Sequence, residues 1–402
     1  MKGLRYLLVT TLVGAVASSY SYDITAKSGI AIDAGSGKVL WMKDADASMF
    51  PASTTKIMTG LLLVEHCLPT DIITAPADIE KVKEASMHLK PGERVTARDM
   101  LYALMLRSAN DGCYAVATHI SGSVEAFAKL MNERAKQLGC LHTHFHNPNG
   151  LNDPQHTTTA HDLALMGRAA MRYQAFREVV KTYKYEIQRS INQHDRTMVN
   201  HDKLLKKDPY AEGIKTGYTV PAGHCFVGSS TRNGFRVITV VMKSQHWQKD
   251  DEDLMGWAFH HFEKKEKLAA GQVVGKIHVP GGESKEVPVA LAEAAYTLGP
   301  VGSHPPKATE EIETLPKLAA PLKKGDHVGN LVLKDADGWV QRIPIVAEED
   351  VEPIHVASLA KGGPSGSTIF FGGALFVGAY LVRGRARRKM KYYGRPTQRQ
   401  KR

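Results

Sequence analysis

Three short motifs stand in one order along a chain of 402 residues: Ser53-Thr54-Thr55-Lys56, then Ser108-Ala109-Asn110, then Lys215-Thr216-Gly217. The intervals between them are far longer than any turn. If they act together, the fold must bring a helix start, a turn and a strand side by side. Few architectures do that, so the spacing constrains the fold before any element is assigned.

The residue types suggest the chemistry. A serine hydroxyl is a poor nucleophile and needs a neighbouring base. Lys56, three residues after Ser53 on a helix, shares its face, with about 5–6 Å between Cβ atoms. A lysine acts as a base only when neutral, and burial near a second cation, here Lys215, favours that state. The set describes serine acyl transfer in which lysine handles the protons.

Singly the motifs are weak, because Ser358-Leu359-Ala360-Lys361, Ser190-Ile191-Asn192 and Lys27-Ser28-Gly29 match the same patterns by chance. Context separates them. Ser53 follows Pro51-Ala52 and opens the apolar helix from Ile57 to Val64, Ser108 ends a helix running from Met100 to Arg107, and Lys215 leads a strand-like run to Thr219.

Over roughly residues 24 to 355 the chain resembles the low-molecular-mass penicillin-binding D-alanyl-D-alanine carboxypeptidases. Beyond the three motifs, the resemblance is carried by Ile32 to Leu40, Met87 to Glu93, Asn147-Pro148-Asn149-Gly150-Leu151 and Thr158 to Ala164. It departs at Tyr218, where the family usually has histidine, and at Asp202, where the second asparagine of its N-x-N-x-L-L stretch falls. The resemblance implies a penicillin-binding or β-lactamase-like α+β catalytic domain that uses no metal or other cofactor. It also implies removal of the terminal D-alanine from peptidoglycan stem pentapeptides through an acyl-enzyme on Ser53. Lys56 would take the serine proton and Ser108 relay one to the leaving group. Asn110, Lys215, Thr216, Gly217 and Tyr218 would bind substrate, with the oxyanion held by the backbone N–H groups of Ser53 and Tyr218. β-Lactam antibiotics would acylate the same serine. Two rivals share the site: a β-lactamase or D,D-endopeptidase, and a non-catalytic peptidoglycan- or β-lactam-binding protein, which Tyr218 and Asp202 permit.

The net charge of +11 does not signal nucleic acid. Ten basic residues lie after Val382 and two more, Lys2 and Arg5, precede an apolar run, leaving a near-neutral body without a basic stripe. The first 22 residues read as a secretory signal, with Ala15-Val16-Ala17 as a cleavage site. Residues 362–382 carry no charge and are long enough to span or anchor to a membrane. The basic residues 383–402 follow as a cytoplasmic tail, which sets the catalytic body on the periplasmic or extracellular side of a bacterial membrane. Four cysteines in so long a chain form no disulfide framework and read as buried thiols.

Between these ends, residues 23–265 read as the catalytic domain. A hairpin turns at Gly35-Ser36-Gly37, helices follow, and two strands are joined by Asn233-Gly234 before a helix over 251–265. Residues 266–358 carry short alternating strands and read as a small β-sandwich-like domain. The alternate histidines His142, His144 and His146 lack a matching carboxylate or cysteine set and are assigned to a loop rather than a metal.

Overall fold

The computed structural model describes residues 23–354 apart from 83, 285, 305 and 336–338. The signal, the uncharged segment, the basic tail and the chance match at Ser358 lie outside the described residues. Among those described, no helix is long and apolar enough to cross a membrane.

The chain opens with β1 (Ser28–Asp33) and β2 (Val39–Lys43), the expected hairpin. Helices and short strands follow: α1 (Lys56–His66), β3 (Ile72–Thr74), β4 (Arg94–Thr96), α2 (Ala97–Tyr102), α3 (Asn110–Ser121), α4 (Val124–Gln137), α5 (Ala160–Ala170), α6 (Gln174–Lys181), β5 (Lys184–Glu186) and β6 (Thr197–Val199). Then come β7 (Ala211–Thr219), β8 (Gly223–Arg232), β9 (Phe235–Ser244) and α7 (Trp247–His261). The strands order as β2-β1-β9-β8-β7, so the first and last parts of the domain meet where β1 pairs antiparallel with β9.

Local chemistry explains the element ends. Thr96, Ser123 and Thr159 each cap a helix by accepting the backbone N–H three residues on. Asn233 and Gly234 take φ of 50° and 73°, the left-handed pair that a two-residue hairpin matching strand twist requires. One face of the sheet packs on the helices around Ile57, Leu61, Met100, Leu163 and Ile238. The other packs Phe226, Val237 and Val241 against Leu254 and Ala258 of α7.

The last helix of this domain differs from expectation. It starts at Trp247 and stops at His261, and residues 262–268 form strand β10 instead. The charged run Glu263 to Lys267 suits a helix by propensity, but pairing with β13 (Ala295–Pro300) overrides it. The remaining strands are β11 (Val273–Ile277), β12 (Val287–Leu291), β14 (Ala308–Thr314), β15 (His327–Asp335) and β16 (Val340–Ala347). They form a sheet in the order β11-β12-β16-β15-β14, with Val289, Leu331, Leu333 and Ile345 in the core that it shares with Ala295 of β13. This C-terminal sheet domain is tied to the first: Tyr296 Oη donates to Asp33 Oδ2 at 2.7 Å, and Lys38 pairs with Asp335 at 2.6 Å.

Candidate active site

Ser53 lies on a short 3-10 turn, Ala52–Thr55, that runs into α1 at Lys56. Ala52 just before it is held at φ 48°, a conformation that a non-glycine residue keeps only when its surroundings enforce it. The enforcement is visible at Gly150: a Cβ there would lie 1.8 Å from the Ala52 carbonyl oxygen, so only glycine lets the two backbones meet.

Lys56 is fully buried, and its Nζ donates to Ser53 Oγ at 3.1 Å, Asn110 Oδ1 at 2.8 Å and the Asn149 carbonyl at 2.7 Å. Burial pulls its pKa below the usual lysine value, against smaller opposing effects of Cys113, Asp111 and Glu84. Two of the three partners can only accept. A neutral amine has two hydrogens, which those two claim, and its lone pair is then left facing the serine hydroxyl. The three-contact cradle therefore points the lone pair of a neutral amine at Ser53.

Ser108 follows a turn of π-helix, Ala103–Arg107, and adopts φ 64°. Its Oγ is buried and makes no hydrogen bond to any of the described residues. Asn110 begins α3, and Asp111 beside it accepts from Met87 N, Leu89 N and Ser86 Oγ, which ties down the loop above the site. Cys113 is buried and its thiol is pushed up to about 11, so it stays protonated and inert.

From the third side, β7 packs on the 52–55 turn. A Cβ on Gly217 would lie 3.0 Å from both Ser53 N and Thr54 N, which is how closely this strand approaches the serine. Lys215 is buried, donates to the Thr216 carbonyl at 3.0 Å, and is pushed down to about 7 by burial and by the charge of Lys56. Thr216 is half-buried, whereas Tyr218 is exposed.

The structure thus joins Ser53, Lys56 and Asn110 by hydrogen bonds, sets Gly217 against the serine backbone, and brings Lys215 within electrostatic reach of Lys56. Sequence reasoning missed the Asn149 carbonyl. Its signal was the Asn147-Pro148-Asn149-Gly150 run, in which Asn147 Oδ1 accepts from Gly150 N at 2.7 Å and so shapes the turn. It also missed His156, whose Nδ1 accepts from His146 N at 3.0 Å, so its proton sits on Nε2 and is donated to Thr55 Oγ1 at 2.9 Å. Asp202, already marked as a departure, is buried with Oδ2 unpartnered and is pushed up to about 6 by burial.

The other matches serve structure. Ser190 Oγ accepts from Arg94 N, and Lys27 donates from its backbone to Met242. His144 and His146 contact the Gln155 carbonyl and Asp153. Among the described residues no group of three or more histidine, cysteine or carboxylate side chains is arranged to hold a metal. The four cysteines are unbridged, and Cys67 is only half-buried.

A helix-flanked antiparallel sheet with a serine–lysine pair at its edge defines the class of serine acyl-transfer enzymes that work without histidine. Residues 14–246 match the family described as D-alanyl-D-alanine carboxypeptidase, and residues 262–353 match the C-terminal domain of penicillin-binding protein 5. The chain belongs to this carboxypeptidase family. It is 31% identical to the D-alanyl-D-alanine carboxypeptidase DacF of Bacillus subtilis, covering 84% of this chain and 88% of the relative. It is 30% identical to DacC of Escherichia coli, covering 86% and 89%. The crystal structure of penicillin-binding protein 5 from Haemophilus influenzae superposes with a TM-score of 0.64 at 27% identity, covering 83% of this chain and 99% of that one.

Proposed function

We propose that this protein is a serine-type D-alanyl-D-alanine carboxypeptidase that trims the terminal D-alanine from peptidoglycan stem pentapeptides. One observation carries the mechanism: the cradle of Asn110 Oδ1 and the Asn149 carbonyl that turns the Lys56 amine toward Ser53. Lys56 takes the serine proton as Oγ bonds to the penultimate D-alanine carbonyl. The resulting oxyanion lies against the N–H groups of Ser53 and Tyr218. The carbon–nitrogen bond then breaks, and a proton delivered through Ser108 Oγ lets D-alanine leave as an amine. Water, deprotonated by Lys56 in its turn, hydrolyses the ester and frees Ser53.

The leaving residue is an anion and needs fixed donors. Lys215 and Thr216 supply them, while Asn110 takes the substrate amide. A β-lactam presents a strained amide and a carboxylate to the same groups and acylates Ser53. A β-lactamase with this site would need a dedicated deacylating glutamate, and the sequence has no E-x-x-x-N arrangement before Lys215. Residues 1–22 and 362–382 support export of the body and its attachment to a bacterial membrane, with 383–402 left in the cytoplasm.

The test is D-alanine release from a D-Ala-D-Ala-terminated pentapeptide by the wild type and Ser53→Ala. Release confined to the wild type supports the assignment. A folded wild type that releases nothing overturns it in favour of a binding-only protein.

A further inference from the structure

At the tip of the β7–β8 hairpin, beside the nucleophile, the chain exposes a cluster of large side chains. Tyr218 is 57% exposed and Val220 86%. Tyr218 stands directly opposite His224 in the β7–β8 ladder, with ring centroids 4.5 Å apart and planes tilted by 36°. His224 is itself exposed, so the two rings support each other and still offer an open surface.

Position along β7 says what lies over them. This is the outermost strand of its sheet. Lys215 and Thr216 take the leaving D-alanine and Gly217 marks the scissile carbonyl, because it abuts Ser53 N. Tyr218 lies one residue further along, about 3.3 Å beyond, on the side of the acyl donor. A peptide laid against the outer edge of a strand sets its side chains beside those of the strand. The donor residue ahead of the two D-alanines therefore meets Tyr218, and His224 backs it from the other side.

Resting on the carboxypeptidase reading, we propose that Tyr218 and His224 form a two-ring shelf that receives the long side chain of the stem residue preceding the D-alanine pair. The shelf determines donor selectivity. His224 touches no reacting atom and acts partly by holding the Tyr218 ring in place.

The full-length protein is assayed with two pentapeptides that differ only at that residue, one bearing a diamino side chain and one an alanine. The measure is the ratio of their kcat/KM values. In His224→Ala the ratio falls about five- to tenfold, the order of one lost ring contact. His224→Phe keeps a ring and restores it, and Tyr218→Leu, which keeps bulk without aromaticity, lowers it as well. A ratio within about twofold of wild type in both His224→Ala and Tyr218→Leu overturns the shelf alone. A wild type that cleaves neither peptide overturns the carboxypeptidase reading and the shelf with it.

Discussion

The carbonyl oxygen of Asn149 accepts a hydrogen bond from Lys56 Nζ at 2.7 Å, across 93 residues of sequence. A backbone acceptor cannot rotate away or lose its lone pairs to protonation. It fixes the amine whatever the charge state of the site, provided the Asn147–Leu151 turn keeps its shape.

That turn depends on Gly150. Its φ of 87° and the 1.8 Å approach that a Cβ would make to the Ala52 carbonyl leave no room for alanine. Gly150→Ala is expected to cost about 2–4 kcal/mol, from left-handed strain plus overpacking. It should also displace the Ser53 turn. Thermal unfolding together with the β-lactam acylation rate checks both effects, and an unchanged acylation rate would refute the second.

Lys56→Ala removes the proposed base but leaves the serine. Acylation of Ser53 should slow by about 10²–10⁴-fold, the range for a positioned general base. Stopped-flow acylation with a chromogenic β-lactam measures it.

Burial and the charge of Lys56 push Lys215 down to about 7. Its ammonium, and with it the proposed hold on the substrate carboxylate, is present below that pH and lost above it. KM should therefore rise on the alkaline side of about pH 7. Asp202 is one of the groups that favour the charged form of Lys215. Asp202→Asn removes that negative charge with little change in shape, so the rise in KM should begin at lower pH. A KM profile that does not move would exclude the coupling.

His156 is pushed from 6.5 down to about 4 by burial. Between those values the unfolded chain binds a proton that the folded one refuses. This contribution to stability is complete above pH 6.5 and is lost as pH falls toward 4, by up to about 3 kcal/mol. Denaturant titrations from pH 7 to 4 should show the loss in the wild type and a smaller one in His156→Gln.

Tyr296→Phe deletes the donor to Asp33 Oδ2 and leaves a buried carboxylate short of one partner. A loss of about 1–3 kcal/mol is expected. The effect should appear in thermal unfolding rather than in acylation of Ser53.

Much of this protein was legible along the chain because its determinants are local. The Asn233-Gly234 turn is decided by neighbouring residues within a few positions. Ser53 and Lys56 declare their partnership by their spacing together with the Pro51-Ala52 and Ile57–Val64 segments that flank them. The strand at 262–268 was not legible, since its charged residues favour helix and only pairing with β13 makes it extended. Nor did the sequence reveal which backbone carbonyl would hold Lys56 or which histidine would brace the Ser53 turn. Those are contacts between segments far apart in the chain, and a residue's type says what bonds it can make but not which groups folding will bring to it.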